Sequence, residues 1–157
     1  MSEPRQSPDF PDSFARVTVK GLYFKDGKIL LCRDAVAVSK GGAEVLEMPG
    51  GGWNFGESFA ETLKREAKEE MGLEVTKVSE KPLFVYPVKK EGSHGMDWYW
   101  ALMLVLGIDF KDLNFTPTVE CKELVFLNYD EFMTVDNLFV ATQPLRTLLT
   151  RTDFKRV

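Results

Sequence analysis

The sequence predicts an α/β fold in which a mixed β-sheet lies between helices, an α/β/α sandwich. Three observations predict it. Strand-like runs recur from residue 15 to residue 127, separated by turn residues. One long amphipathic helix with start and stop signals interrupts them at residues 58–71. The run from Trp98 to Leu106 is apolar at every position, which suits a central strand buried on both faces.

Residues 1–13, with three prolines and no apolar core, read as a disordered lead-in rather than a signal peptide. The rest, residues 14–157, is the right length for one domain. Residues 15–24 alternate and are β-branched, Asp26-Gly27 follows, and Lys28 to Cys32 runs on, so a hairpin is expected around the Asp-Gly pair. A loop of small residues (39–43) leads to Val45-Leu46-Glu47-Met48, which stops at Pro49-Gly50-Gly51-Gly52. The helix begins with Ser58 and Glu61, a capping box, and ends at Gly72. Further strands are expected at 83–88, 98–106 and 122–127, and a last helix between Gln143 and Thr150, with Pro144 in its first turn.

The 157-residue chain carries a formal charge of −4 and is 44% hydrophobic and 28% charged. These values fit a soluble globular protein and exclude generic nucleic-acid binding, which needs clustered Lys and Arg. No run reaches the roughly 18 apolar residues that span a bilayer. Cys32 and Cys121 have no metal-ligand spacing and read as reduced thiols of a cytoplasmic protein.

On a helical wheel, Phe59, Ala60, Leu63, Ala67 and Met71 form the core stripe, while Glu61, Lys64 and Lys68 face solvent. Glu66, Glu69 and Glu70 form one acidic patch that abuts the stripe, and Glu70 falls inside its arc. Acidic runs on helices are ordinarily solvated, and like charges at i, i+4 cost only a few tenths of a kcal/mol. A carboxylate turned towards a core is costly unless it is paired or binds metal. Carboxylates converging beside a glycine-rich loop suit a hard cation that shares its other sites with phosphate oxygens.

Residues 51–73, GGWNFGESFAETLKREAKEEMGL, resemble the Nudix box, G-x5-E-x7-R-E-U-x-E-E-x-G-U with U apolar. Gly51, Glu57, Arg65, Glu66, Glu69, Glu70 and Gly72 fill the fixed positions, and Ala67 and Leu73 the apolar ones. The flanks agree across residues 15–150, although only the box is highly specific. The resemblance implies the Nudix fold and a hydrolase that cleaves a diphosphate linkage in a nucleoside diphosphate derivative. It implies Mg²⁺ or Mn²⁺ held by Glu66, Glu69 and Glu70, with Glu57 supporting the shell directly or through water. Arg65 would complete the catalytic set by orienting these carboxylates, with Glu69 or Glu70 a candidate for proton transfer. Gly50, Gly51 and Gly52 would let the backbone approach the phosphates. Relatives also place an acidic residue before the late strand. Glu120 fits that spacing better than Glu123, and an ordinary surface carboxylate is the equal alternative.

The substrate is less legible. Arg16, Thr18 and Lys20 share one face of the first strand, which is either a phosphate-facing wall or a solvated strand face. Trp53, Phe55, Tyr86 and Trp98 are candidates for base stacking, each with packing as the ordinary alternative. His94, the single histidine, falls in a loop that suits either a lid or a plain connection. ADP-ribose, other nucleotide sugars and nucleoside triphosphates all stay open, and a homodimer is compatible with the resemblance without being fixed by it. A Nudix-fold sensor without turnover would commonly lack some of the box carboxylates, all of which are present. An isopentenyl diphosphate isomerase would need a differently placed cysteine and additional histidine.

Overall fold

The computed structural model describes residues 15–93 and 96–155; the expected lead-in at 1–13 and His94 lie outside them. In chain order the first elements are β1 (Ala15–Leu22), β2 (Phe24–Lys25), β3 (Lys28–Asp34), β4 (Val45–Glu47), β5 (Gly50–Gly52) and α1 (Phe59–Met71). Then come β6 (Val75–Val78), β7 (Phe84–Ser93), β8 (Met96–Phe110), β9 (Leu124–Leu127), α2 (Tyr129–Thr134) and α3 (Leu145–Leu148).

β8 organises the larger sheet. One of its edges pairs in parallel with β1, which pairs in turn with β5, while the other edge takes β7 along its first part and β6 along its second. The sheet is therefore mixed, as expected. A smaller sheet orders β2, β3 and β4, with β9 also on β3. Two apolar cores result. One face of β8 (Leu104, Leu106, Ile108) packs with Leu63, Ala67 and Met71 of α1. The opposite face (Tyr99, Ala101, Met103, Val105) packs against β3, β4, Phe132 and Leu145. Among the described residues no helix is long and apolar enough to cross a membrane.

Sequence and structure differ at several points. The Asp26-Gly27 turn forms, with φ of 52° and 75°, but the hairpin it closes contains only Phe24 and Lys25 opposite β3. The chain changes sheets at Tyr23, because β1 is already occupied on both edges by β5 and β8. β8 is central but not buried on both faces throughout. Trp98, Trp100 and Leu102 are 51%, 41% and 37% exposed, because α1 covers that face only from Leu104 onward. Phe59 is 36% exposed, and its ring meets Trp53 edge-on at 6.4 Å between centres. The last helix is four residues long. β6 and α2 were not expected, although Asn128 and Glu131 form a readable capping box.

The helix that carries the acidic patch is otherwise built as its sequence specifies. Ser58 Oγ accepts from the Glu61 N–H, and the Glu61 carboxylate accepts from the Ser58 N–H. At the other end the N–H groups of Gly72 and Leu73 close on the Lys68 and Ala67 carbonyls. Leu63, 1% exposed, anchors α1 to the sheet. Leu63→Ala should cost about 2–5 kcal/mol in urea unfolding through the cavity it leaves. An unchanged midpoint would show that α1 presents a different face.

Candidate functional site

β5 consists of three glycines laid between β1 and α1, and each position has a different neighbour. At Gly50, with φ of 125°, a Cβ would collide with the Val19 carbonyl oxygen. At Gly51 it would lie 2.6 Å from the Glu66 carboxylate, and at Gly52 it would overlap the Arg16 guanidinium. Glycine is thus required at these positions by the chain's own contacts, and the three lie on the wall of the adjoining cleft. The space a side chain would need is filled by this chain's own backbone, carboxylate and guanidinium groups.

Two cations pin the carbonyls of this strand. Lys20 Nζ donates to Gly50 O at 2.9 Å, and Arg65 Nη2 donates to Gly52 O at 3.1 Å. Arg65 also reaches Glu57 through Nε (2.6 Å) and Nη2 (3.0 Å), and Glu66 (2.8 Å) and Glu69 (3.5 Å) through Nη1. Thr62 Oγ1 donates to Glu57 at 2.8 Å. These hydrogen bonds, with Arg65 first, hold the Glu57 carboxyl down at about 2. The Arg65 pKa is raised in return, chiefly by its hydrogen bonds to Glu57. Glu57 therefore braces Arg65, and Arg65 aims Glu66.

Beside β5 opens a cleft of about 920 Å³. Of the residues singled out in the sequence, its wall takes Arg16, Thr18, Lys20, the three glycines, Glu66, Glu70 and Glu120. Glu57, Arg65 and Glu69 stand outside the wall; Glu69 has a side chain 58% exposed. Glu123 turns away and pairs with Arg33 at 2.9 Å. Lys20 is buried, and besides Gly50 it meets Glu47 at 3.6 Å. Burial alone would lower the Lys20 pKa, but Glu47 and then Glu70 outweigh it and raise it. Lys20 is thus a buried cation on the cleft wall, held by the Gly50 carbonyl and Glu47, and not part of a solvated strand face.

Glu70 is the unusual member. It is 5% exposed, and among the described residues no side chain donates a hydrogen bond to its carboxyl. Burial first, then Glu47, Glu66 and Glu120, push it up to about 9 against an opposing pull from Lys20. Glu120 is also raised, by burial and by Glu66, Asp34 and Glu69. These carboxyl groups suffer one another's field, so a cation placed among them would be stabilised by each. An oxygen-only donor set suits Mg²⁺ or Mn²⁺. The acids fit such an ion, although among the described residues no three His, Cys, Asp or Glu side chains are gathered at ligating distance.

The aromatic candidates lie elsewhere. Tyr86 donates its hydroxyl to Ala141 O, and Trp53 donates Nε1 to Glu57 O, so both serve packing. Trp98 and Phe55 are exposed and do not line the cleft, although the Lys89 ammonium at the wall stands over the Trp98 ring at 4.8 Å. Among the described residues the aromatic rings that line the cleft are Tyr99 and Phe139, and with them come Asp34, Glu47 and Lys90. Alternation along β8 could have indicated Tyr99; Phe139 sits in a loop and has no sequence signal. Cys32 and Cys121 are free and buried, outside the cleft wall.

The NUDIX domain family model matches residues 14–149. The fold is similar to the solution structure of the E. coli ORF135 protein, with TM-score 0.67 and 23% identity over 86% of this chain and 88% of that one. It is similar to a MutT NUDIX hydrolase from Burkholderia pseudomallei, with TM-score 0.65 and 21% identity over 88% of this chain and 100% of that one. It is also similar to a UDP-X diphosphatase, with TM-score 0.65 and 23% identity over 95% of this chain and 68% of that one. A search of curated protein sequences finds no match.

The buried acid makes stability depend on pH. Glu70 is raised from 4.5 to about 9, so the folded chain holds a proton that the unfolded chain releases. Its contribution is complete below pH 4.5 and is lost as pH rises towards 9. Melting temperatures in metal-free buffer should fall across that window, and Glu70→Gln should flatten the fall. Parallel profiles for the two proteins would remove Glu70 from the explanation.

Proposed function

The chain belongs to the NUDIX domain family and is a Nudix hydrolase, and we propose that it is a metal-dependent pyrophosphohydrolase splitting a diphosphate linkage in a nucleoside diphosphate derivative. The observation that carries this reading is Glu70, a carboxyl group buried at the base of an open cleft with Glu66 and Glu120 beside it. A core glutamate so placed has no structural reason that outweighs its desolvation. It has a chemical one.

Glu66 and Glu70 would hold a divalent cation, with Glu69 turning in from solvent to join them. When bound, such an ion neutralises phosphate oxygens, lowers the pKa of an attacking water and steadies the leaving phosphate. Arg65 and Glu57 act as positioning residues, because their contacts fix the direction of Glu66. Arg16 lies across Gly52 at the cleft wall, where its guanidinium would meet the phosphate beyond the metal. Lys20 keeps the Gly50 carbonyl and Glu47 in place.

Glu120 would take the proton from the attacking water. Carboxylates bound to metal lose basicity, whereas Glu120 stands where burial and neighbouring acids raise it. Glu123 is the matched control, since it is chemically identical and paired to Arg33 outside the cleft wall.

The test is product release from dinucleotides, nucleotide sugars and nucleoside triphosphates with Mg²⁺ or Mn²⁺. EDTA should abolish turnover and either metal should restore it. Binding of nucleotides without release of any product would favour a sensor module over an enzyme. Glu66→Gln and Glu70→Gln should each lower kcat roughly a hundredfold or more, with the fold retained. Glu120→Gln should slow kcat by about a hundredfold with KM little changed, and Glu123→Gln should do much less. A damaging Glu123→Gln with a silent Glu120→Gln would move the role by three residues. Two silent variants would return the base to the helix.

A further inference from the structure

We propose that Lys90 and Phe139 form a nucleobase subsite at the far end of the cleft, selecting bases that present a carbonyl edge (guanine, uracil or thymine) over those that present an amino group. The inference rests on the hydrolase reading and deepens it by naming the substrate class.

The placement comes from the sheet register. Gly52 pairs with Thr18, Arg16 with Ala101, and Lys90 with Tyr99, so the cleft floor runs from β5 across β1 and β8 to β7. Three strand spacings of about 4.8 Å put the backbone of β7 roughly 14 Å from the glycine strand, and the Lys90 side chain reaches back into the field of Lys20, Glu47 and Arg16. Glu66 abuts Gly51 and Arg16 lies over Gly52, so the groups suited to metal and phosphate occupy the near end. A nucleotide whose phosphates lie there would extend its base towards Lys90 and Phe139.

Those two residues supply what a base needs. The Lys90 ammonium stands over the Phe139 ring, 5.6 Å from its centre, so a donor-only group and an aromatic ring share this end of the cleft. Phe139 is held in place by its own backbone, because its N–H donates to Leu46 O and Leu46 N–H donates to Asn137 O. Among the described residues Lys90 forms no ion pair within 4 Å. Burial, with Lys20 and Arg16, holds its pKa down to about 8 against the pull of Glu47, as expected of an ammonium short of acceptors. An ammonium donates and cannot accept, so it pairs with guanine O6 or with uracil or thymine O4. It repels the exocyclic amino group that adenine and cytosine hold at the matching position.

Two measurements test this, and the first needs no turnover. Calorimetric titration of the wild-type protein with UMP, CMP, GMP and AMP should show UMP and GMP binding about tenfold or more tightly than CMP and AMP. Lys90→Met should bring UMP down to CMP, while CMP stays within about twofold of wild type. The second measurement is kcat/KM for UTP and CTP, where the same variant should lose the preference through KM. Equal binding of UMP and CMP by the wild type would overturn the proposal, as would a preference that survives Lys90→Met. So would equal weakening of UMP and CMP in the variant, which would assign Lys90 to phosphate or ribose. Selective binding of UMP without hydrolysis of any dinucleotide, nucleotide sugar or triphosphate would uphold the subsite and count against the hydrolase reading alone.

Discussion

The rest of the site depends on one constraint, a carboxyl group held on the apolar side of a helix. Glu70 shares the face of α1 that carries Leu63, Ala67 and Met71, so fastening the helix to the sheet also carries Glu70 out of water. Its neighbours Glu47, Glu66 and Glu120 are acids, and Lys20 offsets them only in part. The folded chain therefore confines several carboxyl groups that oppose one another's ionisation, so Glu70 keeps its proton, and the energy comes from the packing of α1. An arrangement of this kind is costly to keep in a protein with no cation to place there.

β5 lets that helix come close enough. A side chain at Gly51 would displace Glu66, and one at Gly52 would displace Arg16. With no side chains of its own, the strand keeps its position through its carbonyls, one held by Lys20 and one by Arg65. Arg65 links this scaffold to the acids, since one guanidinium contacts Glu57, Glu66 and the strand together. Backbone and carboxylate geometry are thus set by the same side chain. Loss of Arg65 would disturb both at once.

The parts legible in the sequence are those written in local pattern. Ser58, Glu61 and Gly72 fix the ends of α1, and the helical period puts Glu70 with the apolar residues. The exposed face of β8 was not legible. Trp98, Trp100 and Leu102 are as apolar as their buried neighbours, and only the length of α1 decides where cover ends. The role of Lys20 was hidden for a related reason, because its partner Glu47 comes from a strand 27 residues away in sequence. Phe139 and Lys90 reach the cleft through pairings of β4 and β7 that no short motif records. Box residues announce themselves by spacing, whereas the far end of the cleft is a product of topology.

The central claim is that the buried acid on α1 stands ready for a cation, and proton release on metal binding tests it most directly. Mn²⁺ should be titrated calorimetrically into the wild-type chain at pH 7 in two buffers of different ionisation enthalpy. The account predicts release of about one proton per bound ion, because an acid with a value near 9 must ionise to become a ligand. Glu70→Gln should bind the ion more weakly and release correspondingly fewer protons. Binding of equal strength in the two proteins, with no proton released by either, would contradict the account.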